Sequence, residues 1–485
     1  MMHKIARHGV VALLRALVVM TALLFGGLAL LAFAAGAQAP VSPPTWEARL
    51  DSLVRAELER TRTPGAQVAV AHRGRVIFSK GYGVADAETA RPVTPQTLFR
   101  VGSVTKMITG AMAAEMSARG TLDLNAPISR YVTQLDGREV GTVTTRQLLS
   151  HTAGWIDNAV PYGRMGEGAL GEVMDEVSDT LFLTDPGRIV SYSNPGFSMA
   201  GYVIERAGQQ RYGSLAESMI LRPMGMPYAT FRPLHAMTRD FSQGHVGPPD
   251  QAAGLVRPFT ENTAQWAAGF LMASAQDMAR FAIAVMAEGM LDGTRVLSPE
   301  AVRLLTTGVA PIPGDTAAQY AFGLMVSGRP GRRAWRHGGA INGFDAMLTM
   351  YPDLELAIVV HDNRGGAPLN GIESLVYAAV SGETPPPPST PAEPRVANAT
   401  ERTQIAGRYR VGRQNIEILN EGDSLTFLQN GLRMPVRLIG ADRMRITPPV
   451  PGAQPLTLVL VRNAEGRVEF LSQGLRAIPR VELAR

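Results

Sequence analysis

The run Phe99-Arg100-Val101-Gly102-Ser103-Val104-Thr105-Lys106-Met107-Ile108 sets a serine and a lysine three residues apart at the start of an amphipathic helix. The apolar face of that helix is Val104, Met107, Ile108, Ala111 and Met112. Positions i and i+3 project from one side of a helix, so the Lys106 amine can reach the Ser103 hydroxyl. A serine is a poor nucleophile until a base takes its proton, and a neutral lysine is such a base. At the helix N-terminus the serine also gains backbone N–H groups and the positive end of the dipole. Composition sharpens the reading. Of 47 basic residues only Lys4, Lys80 and Lys106 are lysines, and arginine fills every other cationic position. Arginine stays protonated at any useful pH, whereas a desolvated lysine can lose its proton. Sequence alone also allows a plainer reading, an ordinary capped helix with a solvated lysine.

Two further clusters lie downstream. Tyr192-Ser193-Asn194 follows the turn at Asp185-Pro186-Gly187. In an extended loop, Tyr192 and Asn194 point the same way. A phenol can relay a proton to a leaving group, and an amide can hold the lysine and a substrate carbonyl together. His337-Gly338-Gly339-Ala340 falls on a strand signal, where Gly338 and Gly339 would let a substrate backbone approach the strand edge. The Ala340 N–H can complete an oxyanion hole with that of Ser103.

Around these clusters the chain reads as α+β. Helical spacing runs from Trp46 to Leu58, and Gln67–Ala71 and Val76–Lys80 form a hairpin about Arg73-Gly74. A helical and loop-rich insertion extends from about Gly120 to Asp250, and Ser274 to Asp277 opens a further helix as a capping box. Strand signals return after Gly323, with Ala346–Tyr351 and Leu356–Val360 flanking Pro352-Asp353, and a helix from Leu369 to Ala379 closes the domain. Strands at both ends with helices between indicate an antiparallel sheet carrying a helical insertion. Glu383 to Pro394 holds six prolines in twelve residues, the composition of a stiff spacer. Beyond it, short strands at regular spacing with turn residues between them predict a small all-β barrel.

Residues 1–37 have the layout of a signal peptide. Lys4, Arg7 and Arg15 precede an apolar stretch from Ala16 to Ala35, and Ala35-Gly36-Ala37 is a cleavage site. The expected organisation is a signal peptide (1–37), a hydrolase domain (38–382), a linker (383–394) and a barrel (395–485). Export places the protein in the periplasm or outside the cell, with membrane attachment only if the segment stays uncleaved. Removing those three charges from the net +5 leaves +2, too little for a nucleic-acid partner. The chain has no cysteine, which excludes disulfides and thiolate metal sites. Its eight histidines show no metal-binding spacing, so neither metal nor cofactor is expected.

The ordered set S-V-T-K, Y-S-N and H-G-G resembles the three active-site motifs of the serine β-lactamase and penicillin-binding protein superfamily, in particular class C β-lactamases, DD-peptidases and esterases. Flanking strings are similar too, among them Gly81 to Asp86, Leu148 to Gly154 and Gly339 to Phe344. The resemblance covers about Trp46 to Val380. It implies a β-lactamase-like fold, a covalent acyl-enzyme on Ser103, Lys106 as base, Tyr192 assisting proton transfer and Asn194 as orienter. It also implies an oxyanion hole from the Ser103 and Ala340 N–H groups. The C-terminal module resembles the lipocalin-like barrels appended to some of these hydrolases, through Ile405-Ala406-Gly407-Arg408-Tyr409. His337 departs from the β-lactamases, whose third motif begins with a lysine that binds the substrate carboxylate. The expected function is hydrolysis of an amide or ester by acyl transfer, with a D-amino-acid peptide or small ester as substrate. A β-lactamase proper and a catalytically silent binder of cell-wall fragments are the alternatives.

Overall fold

The computed structural model describes residues 45–157, 164–173, 177–248, 251–328, 331–383, 392–449 and 454–481. The expected signal segment and most of the proline-rich stretch lie outside these residues. Of the first 49 residues only the opening of helix α1 (Trp46–Thr61) is described. No helix among the described residues is long and apolar enough to cross a membrane.

The catalytic part is built on a nine-stranded antiparallel sheet. Its strands are β1 (Gly65–His72), β2 (Arg75–Asp86), β3 (Arg91–Pro92), β4 (Ala310–Ile312), β5 (Asp315–Tyr320), β6 (Met325–Ser327), β7 (Ala334–Ile341), β8 (Phe344–Tyr351) and β9 (Leu356–Asp362). They are ordered β4-β5-β6-β7-β8-β9-β1-β2-β3, so the N-terminal hairpin closes onto the last strand of the C-terminal run. β1 pairs with β9 with Val68 opposite Val360, and β7 pairs with β8 with Gly339 opposite Ala346. The whole of β1 up to Ala71 is buried, as expected of a central strand covered on both faces. Period-2 alternation divides the faces of β8. Leu348 and Met350 enter the main core, while Thr349 and Tyr351 hydrogen-bond Glu373 of the closing helix.

The strand signal expected only after Gly323 begins earlier. β4 and β5 precede it, and β4 is the sheet edge, where Pro311 removes no ladder bond the sheet needs.

The helices that position the site are α2 (Thr105–Ala118), α3 (Thr145–Leu149), α4 (Asn194–Gly208), α5 (Ala275–Met286), α6 (Pro299–Thr306) and α7 (Ile372–Ser381). α2 is the central one, with every residue from Thr105 to Met116 buried. α5 starts at the predicted capping box: Ser274 Oγ accepts from Asp277 N, and Asp277 Oδ2 accepts from Ser274 N.

The C-terminal module is a closed antiparallel barrel preceded by α8 (Ala399–Ile405). Its strands are β10 (Gly407–Val411), β11 (Gln414–Glu421), β12 (Ser424–Gln429), β13 (Leu432–Ile439), β14 (Arg443–Ile446), β15 (Leu456–Arg462), β16 (Val468–Gln473) and β17 (Arg476–Val481). β10 meets β17 at Arg408–Val481 and Tyr409–Arg480 to complete the ring. Alternate residues face inward and pack as one core, including Ile418, Phe427, Leu438, Met444 and Leu458. The barrel is docked on the catalytic part. Phe470 and Ala477 pack against Ile189, and Ala477 N donates to Ser191 Oγ at 3.2 Å.

Candidate active site

Ser103 sits on a 3₁₀ turn, Gly102–Val104, just before α2, rather than on the α-helix itself. The turn lies against β7 so closely that only glycine fits at two points. A Cβ on Gly102, whose φ is +51°, would come within 2.7 Å of Ala340 N. One on Gly339 would come within 3.0 Å of Ser103 N. These two contacts bring the N–H groups of Ser103 and Ala340 side by side, as an oxyanion hole requires. β7 pairs with β6 only through Arg336, which leaves its edge from His337 to Ile341 facing the serine turn.

Lys106, the second residue of α2, is completely buried. Its Nζ lies 3.2 Å from Ser103 Oγ and donates to Asn194 Oδ1 at 2.7 Å and Ala268 O at 2.5 Å. A neutral amine has two N–H donors and one lone pair. The two carbonyls take the donors, which leaves the lone pair for the serine proton. Burial pushes the Lys106 pKa well below its ordinary value; the Asp157 charge opposes this and that of Arg476 adds to it. Lys80, by contrast, is half-exposed and paired with Asp51 at 2.5 Å. One of the two described lysines is thus an ordinary surface ion pair and the other a desolvated base.

Tyr192 and Asn194 arrive from the same short segment. Ser193 is the N-cap of α4, its Oγ accepting from Gly196 N at 3.1 Å. Asn194 is therefore the first helical residue rather than part of an extended loop, and the cap fixes its direction. Tyr192 Oη donates to Ser103 Oγ at 2.6 Å. Burial pushes the phenol pKa upward, so Tyr192 stays protonated, with its hydroxyl hydrogen on Ser103 Oγ and a phenol in place that can relay a proton.

His337 does not serve as the cation of the third motif. Its Nε2 lies 2.8 Å from Tyr320 Oη and its Nδ1 2.5 Å from Gly338 O, so both nitrogens are engaged within the protein. Burial first, and then the Lys106 charge, bring its pKa down to about 3. A neutral imidazole at working pH holds β7 in place and offers no charge to a substrate carboxylate.

Sequence reading missed the cation that is present. Arg476 opens β17 after the two-residue turn Gly474-Leu475. That turn of the barrel enters the catalytic cleft, about 860 Å³, lined by Ser103, Tyr192, Asn194, Ala340, Leu475 and Arg476. Tyr192 N donates to Leu475 O at 2.7 Å. The Arg476 guanidinium lies 4.9 Å from the Tyr192 ring centroid and donates to Asp157 Oδ2 at 2.7 Å. Asp157 Oδ1 in turn accepts from Asn194 N at 2.9 Å. The barrel, the Tyr192–Asn194 segment and Asp157 are thus one hydrogen-bonded unit. Gly338 and Gly339 also line the cleft.

Comparison with known proteins agrees with this geometry. A D-aminopeptidase of Gluconobacter oxydans (strain 621H) is 29% identical over 351 residues, 71% of this chain and 64% of that protein. Esterase EstB of Burkholderia gladioli is 32% identical over 197 residues, 37% of this chain and 50% of its own length. This chain thus spans less than two thirds of either curated relative. Among solved structures, SurE with D-Leu superposes with a TM-score of 0.73 at 26% identity, covering 90% of this chain and 99% of that one. A β-lactamase/D-alanine carboxypeptidase from Pseudomonas syringae shares the fold, with a TM-score of 0.58 at 20% identity over 70% of this chain and 100% of its own. The family model described as Beta-lactamase matches residues 50–380, and the chain belongs to that family.

Proposed function

We propose that the protein is an exported serine hydrolase that cleaves an amide or ester through an acyl-enzyme on Ser103, with D-amino-acid peptides or small esters as substrates. The observation that carries this reading is Lys106, fully buried beside Ser103 Oγ with two carbonyls holding its N–H groups. Burying an amine is costly, and a protein that only binds has no use for one aimed at a serine hydroxyl. In the reaction, Lys106 takes the Ser103 proton as Oγ attacks the carbonyl carbon. The oxyanion is met by the Ser103 and Ala340 N–H groups, and the proton passes through Tyr192 to the leaving amine or alcohol. Water then attacks the acyl-enzyme by the same route in reverse.

The substrate class rests on charge. His337 is neutral, which disfavours the β-lactamase mode of carboxylate recognition, and Arg476 supplies a cation from the other wall of the cleft. A D-aminopeptidase among the relatives and a related structure holding D-Leu favour a D-configured substrate. Export rests on the N-terminal pattern, and an exported chain beginning at Gln38 is its expected mark.

The test is direct. The purified protein is incubated with a fluorophosphonate, a fluorescent penicillin, p-nitrophenyl esters and D-aminoacyl p-nitroanilides, and the adduct is located by mass spectrometry. The adduct should sit on Ser103, and Ser103→Ala should abolish it and lower turnover at least about 10³-fold. Labelling that survives in Ser103→Ala refutes the assignment.

A further inference from the structure

His151 follows α3 in the left-handed region, with φ +57°, a conformation a non-glycine residue keeps only where its surroundings impose it. It is fully buried and touches neither solvent nor the cleft. Yet it grips the Tyr192 segment at three points. Its carbonyl oxygen accepts from Ser191 N at 2.8 Å, and its Nδ1 accepts from Ser193 N at 3.1 Å. Its ring lies 4.3 Å from the Tyr192 ring. The backbone N–H groups on either side of Tyr192 are therefore held by one residue, while Tyr192 N itself is held from the opposite side by Leu475 O. The imidazole also meets Phe197 at 4.9 Å and Tyr320 at 4.6 Å, and Tyr320 Oη reaches His337 Nε2 at 2.8 Å. One ring thus spans the second and third motifs.

We propose that His151 is a positioning residue for acylation, holding Tyr192, and through Tyr320 the strand of His337, where the phenol meets Ser103. This role rests on the serine-hydrolase reading above. Because Nδ1 accepts, the ring must be neutral with its proton on Nε2, an atom with no partner among the described residues. The groups facing it are Tyr192, Tyr320, Lys106, His337 and Arg476. Burial first, then the charges of the last three, hold its pKa well below the ordinary imidazole range.

Three variants of the full chain separate positioning from bulk packing. His151→Phe keeps a ring but leaves Ser193 N–H buried and unpaired. His151→Asn loses the ring but places its amide oxygen near the Nδ1 position, and His151→Gln places it near Nε2. The readouts are the rate constant of Ser103 acylation per labelled site, KM for a p-nitrophenyl ester, and the melting temperature. His151→Phe should acylate about 10²-fold more slowly with KM changed less than about twofold, as a misplaced group does. His151→Asn should recover at least about a tenth of the native rate. A native rate in His151→Phe, or no recovery in a folded His151→Asn, overturns the proposal. If His151→Phe does not fold, the Asn and Gln variants decide it: Asn faster supports the role, and equal rates overturn it. Native protein that leaves Ser103 unlabelled refutes the hydrolase reading and this role with it, whereas labelled native protein with equal variants refutes the role alone.

Discussion

Replacing Arg476 with glutamine should slow turnover of carboxylate-bearing substrates while sparing neutral ones. Arg476 lines the cleft of Ser103 and already holds a single oxygen of Asp157, Oδ2, with its Nε at 2.7 Å and Nη2 at 2.6 Å. A hydrogen bond to a charged group is worth about 1.5–3 kcal/mol, but the Arg476 side chain is 53% exposed. Solvent screening and competition from Asp157 reduce that to about 1–2 kcal/mol, roughly 5- to 30-fold in kcat/KM. The assay is the ratio of kcat/KM for a D-amino-acid peptide with a free C-terminal carboxylate to that for its C-terminal amide. Arg476→Gln should lower the ratio by that factor. Because His337 stays neutral, the native ratio should also be flat between about pH 5.5 and about pH 8. An unchanged ratio in Arg476→Gln, or a native preference that grows as pH falls below about 6.5, would return carboxylate recognition to the imidazole and refute this reasoning.

Lys106→Arg should be nearly as damaging as loss of the serine. It preserves the charge but cannot accept a proton, and it forces a permanent cation into a site where burial disfavours one, so both acylation rate and melting temperature should fall. His361 is fully buried, with neither ring nitrogen partnered among the described residues, and burial brings its pKa to about 3. A folded-state value below the unfolded one means that its neutral form stabilises the protein above about pH 6.5 and that this stability drains away as pH falls toward about 3. Between about pH 7 and about pH 5 the native protein should lose about 2 kcal/mol more stability than His361→Phe, measured by urea unfolding, and parallel curves would contradict this. Phe470→Asp places a carboxylate against Ile189 and should unseat the barrel. After protease cleavage between Glu383 and Pro394 the native fragments should stay associated and those of the variant should separate with loss of labelling; equal retention of both would show the interface to be dispensable.

What the sequence made legible follows local physics. The S-x-x-K spacing, the capping box at Ser274 and the alternating strands each depend on residues a few positions apart, and each stands where its pattern places it. The elements that escaped did so for stated reasons. β4 and β5 were hidden by Pro311 and Pro313, since proline argues against a strand except at an edge, and edge position is a tertiary fact. β14 alternates but over only four residues, too few to stand out, and β17 carries Pro479 and loses the alternation. His151 was visible within Leu148–Gly154, but nothing local says that its ring meets Tyr192. Arg476 was one of many arginines on a hairpin turn, and only the docking of the barrel onto Ile189 gives it a role. The candidate site was legible where one helix or one strand builds it and illegible where two structural units, the barrel and the part built on the nine-stranded sheet, meet.

The meeting of those units bears on why this chain keeps a barrel whose interior is a packed core. In a site whose third motif begins with lysine, the fixed cation stands on the strand beside the oxyanion hole. Here that position is a buried, neutral imidazole committed to Tyr320 and Gly338. A cation there would be desolvated and would stand near Lys106, raising the cost of every protonated state the base must pass through. Arg476 avoids this conflict because it is half-exposed and paired to Asp157. It approaches from outside the catalytic fold on a turn whose backbone also holds Tyr192 N. With the charge on the turn instead of the strand, any contact to a substrate carboxylate and the placement of Tyr192 would depend on one contact between the barrel and the rest of the chain. Substrate selection and acylation should therefore fail together when that contact is broken, and separately when only Arg476 or only His151 is changed.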